Sequence, residues 1–418
     1  MEELALFSVL ILAFGLISRR VERSMFSAPI FFVLAGVILF LAGLSVAQID
    51  VSSKTVLLLG EATLTLVLFS DASRISLSAL RGNAQLPGRL LCIGLPLTIL
   101  AGSIVGAILF AGMSFWEAAI LSVVLAPTDA SLGIAVVNDP RVPMRIRQAL
   151  NVESGLNDGI SVPFLMLFIA LAEVETEATT GSGYWLWFAV REIGFGVLAG
   201  ILVGLVGTWL IRQAIQRRWM SDAYQKLGLL ALALISYQLA AMFGGSGFIA
   251  AFVAGLTAGV MLKKSEENLV EFAEIEGHLL NLIMFFILGV LAARALPYFT
   301  WQVLLYALLS LTIVRILPVA ISLIGTRLHR STVLFMGWFG PRGLASIVMG
   351  LVFLEESTSI PNKEVITLTV IATVVLSVFA HGVTTMPLIG RYQKLVQALP
   401  GLPPENLEVI ELPSRANL

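Results

Sequence analysis

One cysteine, Cys92, occurs in 418 residues, so a disulfide framework and a cysteine-based metal centre are both excluded. Charge is scarce as well. Asp, Glu, Lys and Arg make up 13% of the chain, about half the share usual in soluble domains. A net charge of −1 gives no basic surface of the kind that binds nucleic acid. No Walker-type phosphate loop occurs, so neither a nucleotide site nor coupling to ATP through this chain is expected. No connection is long enough for a soluble domain. The longest polar pieces, "EVETEATTGSG" and the tail "PGLPPENLEVIELPSRANL", read as solvated loops without a core.

What the chain has is apolar mass. Hydrophobic residues form 58% of it, arranged in blocks of roughly 17–25 residues, the length that crosses a hydrocarbon core of about 30 Å. The composition defines an integral membrane protein embedded in the lipid bilayer. The start "MEELALFSVLILAFGLISRR" has acids before its apolar run and bases after it, the reverse of a secretion signal, and reads as a retained first span. Thirteen all-α spans can be drawn between residues 3 and 390. Alternating their connections puts 20 Lys and Arg residues on one side and 3 on the other. By the positive-inside rule the N-terminus is outside and the C-terminus cytoplasmic.

An ionisable group inside a span costs several kcal/mol unless it faces protein or water, so each is a functional candidate. The set is Glu61, Asp71, Asp129, Glu153, Asp158, Arg315, Arg342 and His381. Asp129 lies in "VVLAPTDASLGIAVV", where Pro127 removes a backbone donor and should break the fifth span. Thr128 and Asp129 are suitable caps for the half-helix that follows. "GWFGPRGLASIVMGL" puts Pro341 and Arg342 at the middle of the twelfth span. The two prolines lie 214 residues apart, at matching places in two halves of the chain. Spans 1–6 and 8–13 then form two repeats of opposite orientation, and paired broken helices in such repeats point to a transporter's substrate site. The expected layout is one transmembrane unit over residues 1–400. Repeat one covers 1–172, a linking helix 184–211, repeat two 222–392, and 400–418 is a short tail.

The sixth span opens "NVESGLNDGISVPFLMLFIAL". As a helix it puts Glu153, Ser154, Asn157 and Asp158 on one arc, one turn apart. Glu153 must be neutralised when buried, and Arg342 is the partner expected for it. Asp158 is then the free acid, able to exchange a proton for a small cation. A cation needs oxygen ligands, which Asp158, Ser154, Asp129 and the hydroxyl or carbonyl of Thr128 supply. Asn157 holds the broken helix by side-chain hydrogen bonds without adding charge. No resident cofactor is implied.

At these residues the sequence resembles monovalent cation:proton antiporters of the sodium/proton exchanger type. The segments are "LAPTDA" (125–130), "ESGLNDG" (153–159), "GPRGLAS" (340–346) and "VVLSVFAHGVTTMPLIG" (374–390). The resemblance implies two inverted six-helix repeats with crossed broken helices, a core domain moving against a dimerisation domain, and a homodimer. It implies Asp158 as the essential ion- and proton-binding carboxylate, with Ser154 and the Thr128–Asp129 break at the Na+. It also implies a buried Glu153–Arg342 pair. Asn157 before Asp158 resembles the electroneutral branch, which exchanges one sodium for one proton. Two departures stand out: Ala130 follows Asp129 where proline is frequent, and "LFSDAS" puts Ser70 where many members carry glutamate. Asp71, next to it, is a further candidate, as ligand or entrance gate. The short tail lacks the regulatory region of animal exchangers, which implies a bacterial or archaeal plasma (inner) membrane.

Other features read as structural. Gly196, Gly200 and Gly204, and Gly255 with Gly259, are faces for close helix packing. Arg315 braces, and His381 is a hydrogen-bonded packing residue. The leading expectation is Na+ (or Li+) exchanged for H+, with no enzymatic step, and K+/H+ exchange is the alternative. An aspartyl protease needs a Gly-x-Gly-Asp type site that "GLND" does not supply, and a channel needs polar stripes along several spans.

Overall fold

Inside a bilayer a backbone N–H finds no water, so apolar runs satisfy their polar groups by coiling into helices. The computed structural model describes residues 2–21, 26–44, 54–74, 84–176, 182–262, 267–356, 360–399 and 403–407. Its described residues are helical with no strand. The first four helices are α1 (Glu2–Val21), α2 (Ala28–Leu41), α3 (Lys54–Ser73) and α4 (Gln85–Leu109). Then come α5 (Phe115–Val124), α6 (Ala130–Val137), α7 (Met144–Thr176) and α8 (Ser182–Gln216). They are followed by α9 (Asp222–Met242), α10 (Gly247–Met261), α11 (Glu267–Ala295) and α12 (Trp301–Ser322). The last three are α13 (Arg330–Trp338), α14 (Leu344–Glu356) and α15 (Lys363–Gln397).

Eight of the described helices are long and apolar enough to cross a membrane, and five further apolar helices are shorter. Two runs drawn as single spans are each two half-helices: α5 with α6, and α13 with α14. Each interruption holds its proline, Pro127 in the first and Pro341 in the second. The glycine faces let backbones approach. A Cβ on Gly200 would stand 2.6 Å from Ala250 O of α10, and one on Gly255 would collide with Phe69 O of α3. α8 therefore lies on α10, and α10 on α3.

Both ends of the bundle carry a buried carboxylate. Glu117, in the first turn of α5, forms a capping box with Ser114 and also accepts from Asn362 N at 3.0 Å and Asn362 Nδ2 at 2.8 Å, tying α5 to the start of α15. Residues 403–407, the described part of the tail, depart from the solvated loop read from its sequence. Glu405 is fully buried and accepts from His329 N and Thr332 Oγ1, both at 2.8 Å, at the start of α13. Arg145 Nη1 at the start of α7 donates to Pro404 O at 2.6 Å. Orphan N–H groups of a helix start, short of water, gain from an acid brought in by another segment. In "EVETEATTGSG", residues 173–176 finish α7 and 182–183 begin α8, while 177–181 lie outside the described residues.

Candidate ion-binding site

The two breaks meet, and Asp129 joins them. Its Oδ1 accepts from Ser131 N at 2.7 Å, Ser131 Oγ at 2.5 Å and Leu132 N at 3.2 Å, capping α6. Its Oδ2 accepts from Leu344 N at 2.7 Å, capping α14 as well. The Asp129 N–H in turn donates to Pro341 O at 2.7 Å. One carboxylate thus sits at the positive ends of two half-helix dipoles and satisfies amides that have no intrahelical partner. Gly343 has no space for a side chain, because a Cβ there would collide with Asp129 Oδ2. Asn281 on α11 adds support from outside, donating through Nδ2 to Ser131 Oγ at 3.0 Å.

The carbonyl ends of the breaks face Arg342, whose side chain is wholly buried. Its Nη1 lies 3.0 Å from Gly340 O and 3.4 Å from Pro127 O. A cation among carbonyls of both breaks and an anion among amides of both is the arrangement that half-helix dipoles favour.

The buried ion pair differs from the one expected. Glu153 Oε1 lies 2.6 Å from Nη1 of Arg315, with both side chains about 3% exposed, and no Glu153–Arg342 salt bridge forms. The reason is geometric. Arg342 is committed to Gly340 O and Pro127 O, one carbonyl from each break, whereas Arg315 follows an interruption of α12 at Thr312 and packs against Gly340. Arg315 therefore stands between the second break and α7.

Three polar side chains of the expected site do come together. Thr128 Oγ1 and Ser154 Oγ share a hydrogen bond of 2.9 Å, and Asn157 Nδ2 donates to Thr128 Oγ1 at 2.7 Å. Asn157 Oδ1 is buried and accepts no hydrogen bond from the protein. Asp158 is buried on the same face of α7, one turn beyond Ser154. Asp71, in the last turn of α3, lies beside α7: a Cβ on Gly155 would be 4.0 Å from its Cβ. Glu61, two and a half turns earlier on α3, is only partly buried. A small cavity at the crossing is lined by Ser154, by Gly133 of α6, by Asn151 of α7 and by Phe339 and Pro341 of the second break. Asp158 and Asp129 are not in its walls.

Several residues escaped the sequence reading. Asn281 is a lone amide in an apolar run and was passed over because it does not ionise. Glu117 carried a legible signal, since Ser114-x-x-Glu117 is a capping-box pattern. Glu405 gave none.

A helical membrane bundle built round two crossed helix breaks, with acids and arginines buried at the crossing, is the architecture of a secondary transporter. The chain matches the family described as "Sodium/hydrogen exchanger, transmembrane" over residues 7–390, and it belongs to that family. Among similar proteins is a Na(+)/H(+) antiporter of Schizosaccharomyces pombe, 26% identical over 273 residues, which are 61% of this chain and 57% of that one. The K(+)/H(+) antiporter NhaP of Alkalimonas amylolytica is 25% identical over 341 residues, 81% of this chain and 58% of that one. The chain thus spans little more than half the length of these two relatives. The solved structure of the sodium proton antiporter MjNhaP1 from Methanocaldococcus jannaschii at pH 8 superposes with a TM-score of 0.73 at 20% identity, covering 94% of this chain and 100% of that one. The fold is therefore shared.

Proposed function

We propose that this multi-pass membrane protein exchanges Na+ (or Li+) for H+, one for one, with the two ions competing for Asp158. The observation that carries the reading is the placement of a buried acid, Asp158, one turn beyond Ser154 on the face of α7 that meets the two breaks. A proton or a monovalent cation can each neutralise that carboxylate in a medium that penalises a bare charge, and one carboxylate does not hold both, which couples the two ions.

Asp158, Ser154 Oγ and Thr128 supply the oxygens for the cation, and Asn157 Oδ1 is a spare neutral acceptor. Asp129 acts by holding the crossing, because both of its oxygens already accept N–H groups. In this reading two inverted repeats surround the site, residues 184–211 link them, and the protein works as a homodimer in the plasma membrane, N-terminus outside. K+/H+ exchange is the second reading, favoured by the likeness to a K(+)/H(+) antiporter over 81% of this chain.

Everted vesicles test it. Sodium added to an imposed pH gradient dissipates the gradient, and clamping the membrane potential leaves the rate unchanged. A response to potassium and not to sodium selects the second reading. A rate that follows the potential rejects one-for-one exchange.

A further inference from the structure

α15 presents a hydrogen-bonded bracket to the second break that neither the cation site nor the ion pair uses. His381 Nε2 lies 2.8 Å from Trp338 O, the last carbonyl of α13. In the tautomer protonated at Nε2 the ring donates to this carbonyl. His381 Nδ1 lies 2.9 Å from Ser377 O and 3.2 Å from Ser377 Oγ, and the hydroxyl oxygen accepts from Arg342 N at 2.6 Å. In that tautomer Ser377 accepts the Arg342 N–H and gives its own hydroxyl proton to Nδ1. The Trp338 ring stacks on the imidazole at 5.0 Å, and its Nε1 donates to Thr384 Oγ1 at 3.0 Å.

The bracket spans the non-helical backbone 339–343 from end to end. On its other side the same stretch is held by Asp129, through Pro341 O and Leu344 N. Phe339 and Pro341, which line the cavity at Ser154, lie between the two holds. Without the imidazole, Trp338 O keeps only the Gly340 N–H at 2.8 Å and the Ser377 hydroxyl loses its ring acceptor, so the stretch is held less firmly and these side chains can shift with it.

We infer that His381 is a positioning residue for cation binding: it bridges Trp338 O to Arg342 N through Ser377 and so fixes the Phe339–Pro341 wall of the cavity at Ser154. It touches no ion. The inference deepens the exchange reading and rests on it for its kinetic consequence, whereas the hold on the backbone stands independently.

Two variants test it in the full-length protein. His381→Phe keeps a ring against Trp338 and loses both nitrogens, while His381→Gln restores an N–H donor without a group that titrates. Backbone amide exchange by mass spectrometry is followed over residues 336–345, and the sodium concentration for half-maximal response is measured in proteoliposomes. In His381→Phe the amides exchange faster and half-saturation rises about fivefold, the ratio carried by one hydrogen bond. His381→Gln returns both toward wild type. Unchanged amide exchange in His381→Phe overturns the inference. So does faster exchange with unaltered half-saturation, or a Gln variant as impaired as the Phe variant. Absence of any cation-driven pH change in the wild type counts against the exchange reading instead, and amide exchange then decides alone whether His381 holds the break.

Discussion

Glu153 on α7 and Arg315 on α12 face each other at 2.6 Å inside the bundle, and the ion pair joins the helix that bears Asp158 to the segment packed on the second break. Removing one partner strands the other charge, so Glu153→Gln and Arg315→Met should each lower stability by about 3 kcal/mol or more. The double variant should lose far less than the sum. Thermal unfolding of the purified variants gives the coupling. A cycle pairing Glu153→Gln with Arg342→Met should show a smaller one.

Asp129→Asn puts an NH2 group where one carboxylate oxygen accepted an amide. Either the Ser131 or the Leu344 N–H then meets a donor, at a cost of about 1–3 kcal/mol. Gly343→Ala should reproduce this from the opposite side, because its methyl group would press on Asp129 Oδ2. Equal losses of thermal stability in the two variants would bear out the shared cap. A neutral Gly343→Ala would count against it.

Asp158→Asn should abolish cation-driven proton movement while the protein stays folded in the membrane. In the wild type, acidification should raise half-saturating sodium toward about tenfold per pH unit, since protons then occupy the shared carboxylate. Sodium affinity that ignores pH would separate the two ions and reject competition at one acid.

Deleting the docked 403–407 segment, or replacing Glu405 by Ala, removes the acid at the start of α13. Stability should fall by about 1–3 kcal/mol, and amide exchange should quicken at residues 329–333 before it does at the break. Uniform exchange across the whole helix would show that the tail does not act locally.

The breaks were legible in sequence because proline lacks the N–H that a helix interior demands, and both fell at their prolines. Asp129 was legible as a cap, but its second duty was not, since nothing local says that Leu344 approaches. The choice of arginine was likewise hidden. Arg315 and Arg342 are equally isolated in apolar runs, and only the tertiary placement of Arg315 beside Glu153 selects between them. A hydropathy profile averages over a break, so residues 116–137 and 331–353 each count as one span, and only their prolines mark the interruption. Glu405 sits in a proline-rich polar stretch that looks like solvent-facing loop, and its burial depends on a hollow made by α7 and α13.

Because a single acid serves the starts of two half-helices, neither strand of the crossing can slip past the other without baring amide hydrogens to hydrocarbon. The knot must then travel as one block. An ion carried to the opposite side would ride with it, and the yielding needed for that journey falls on the greasy seams around the knot, leaving the knot itself tied.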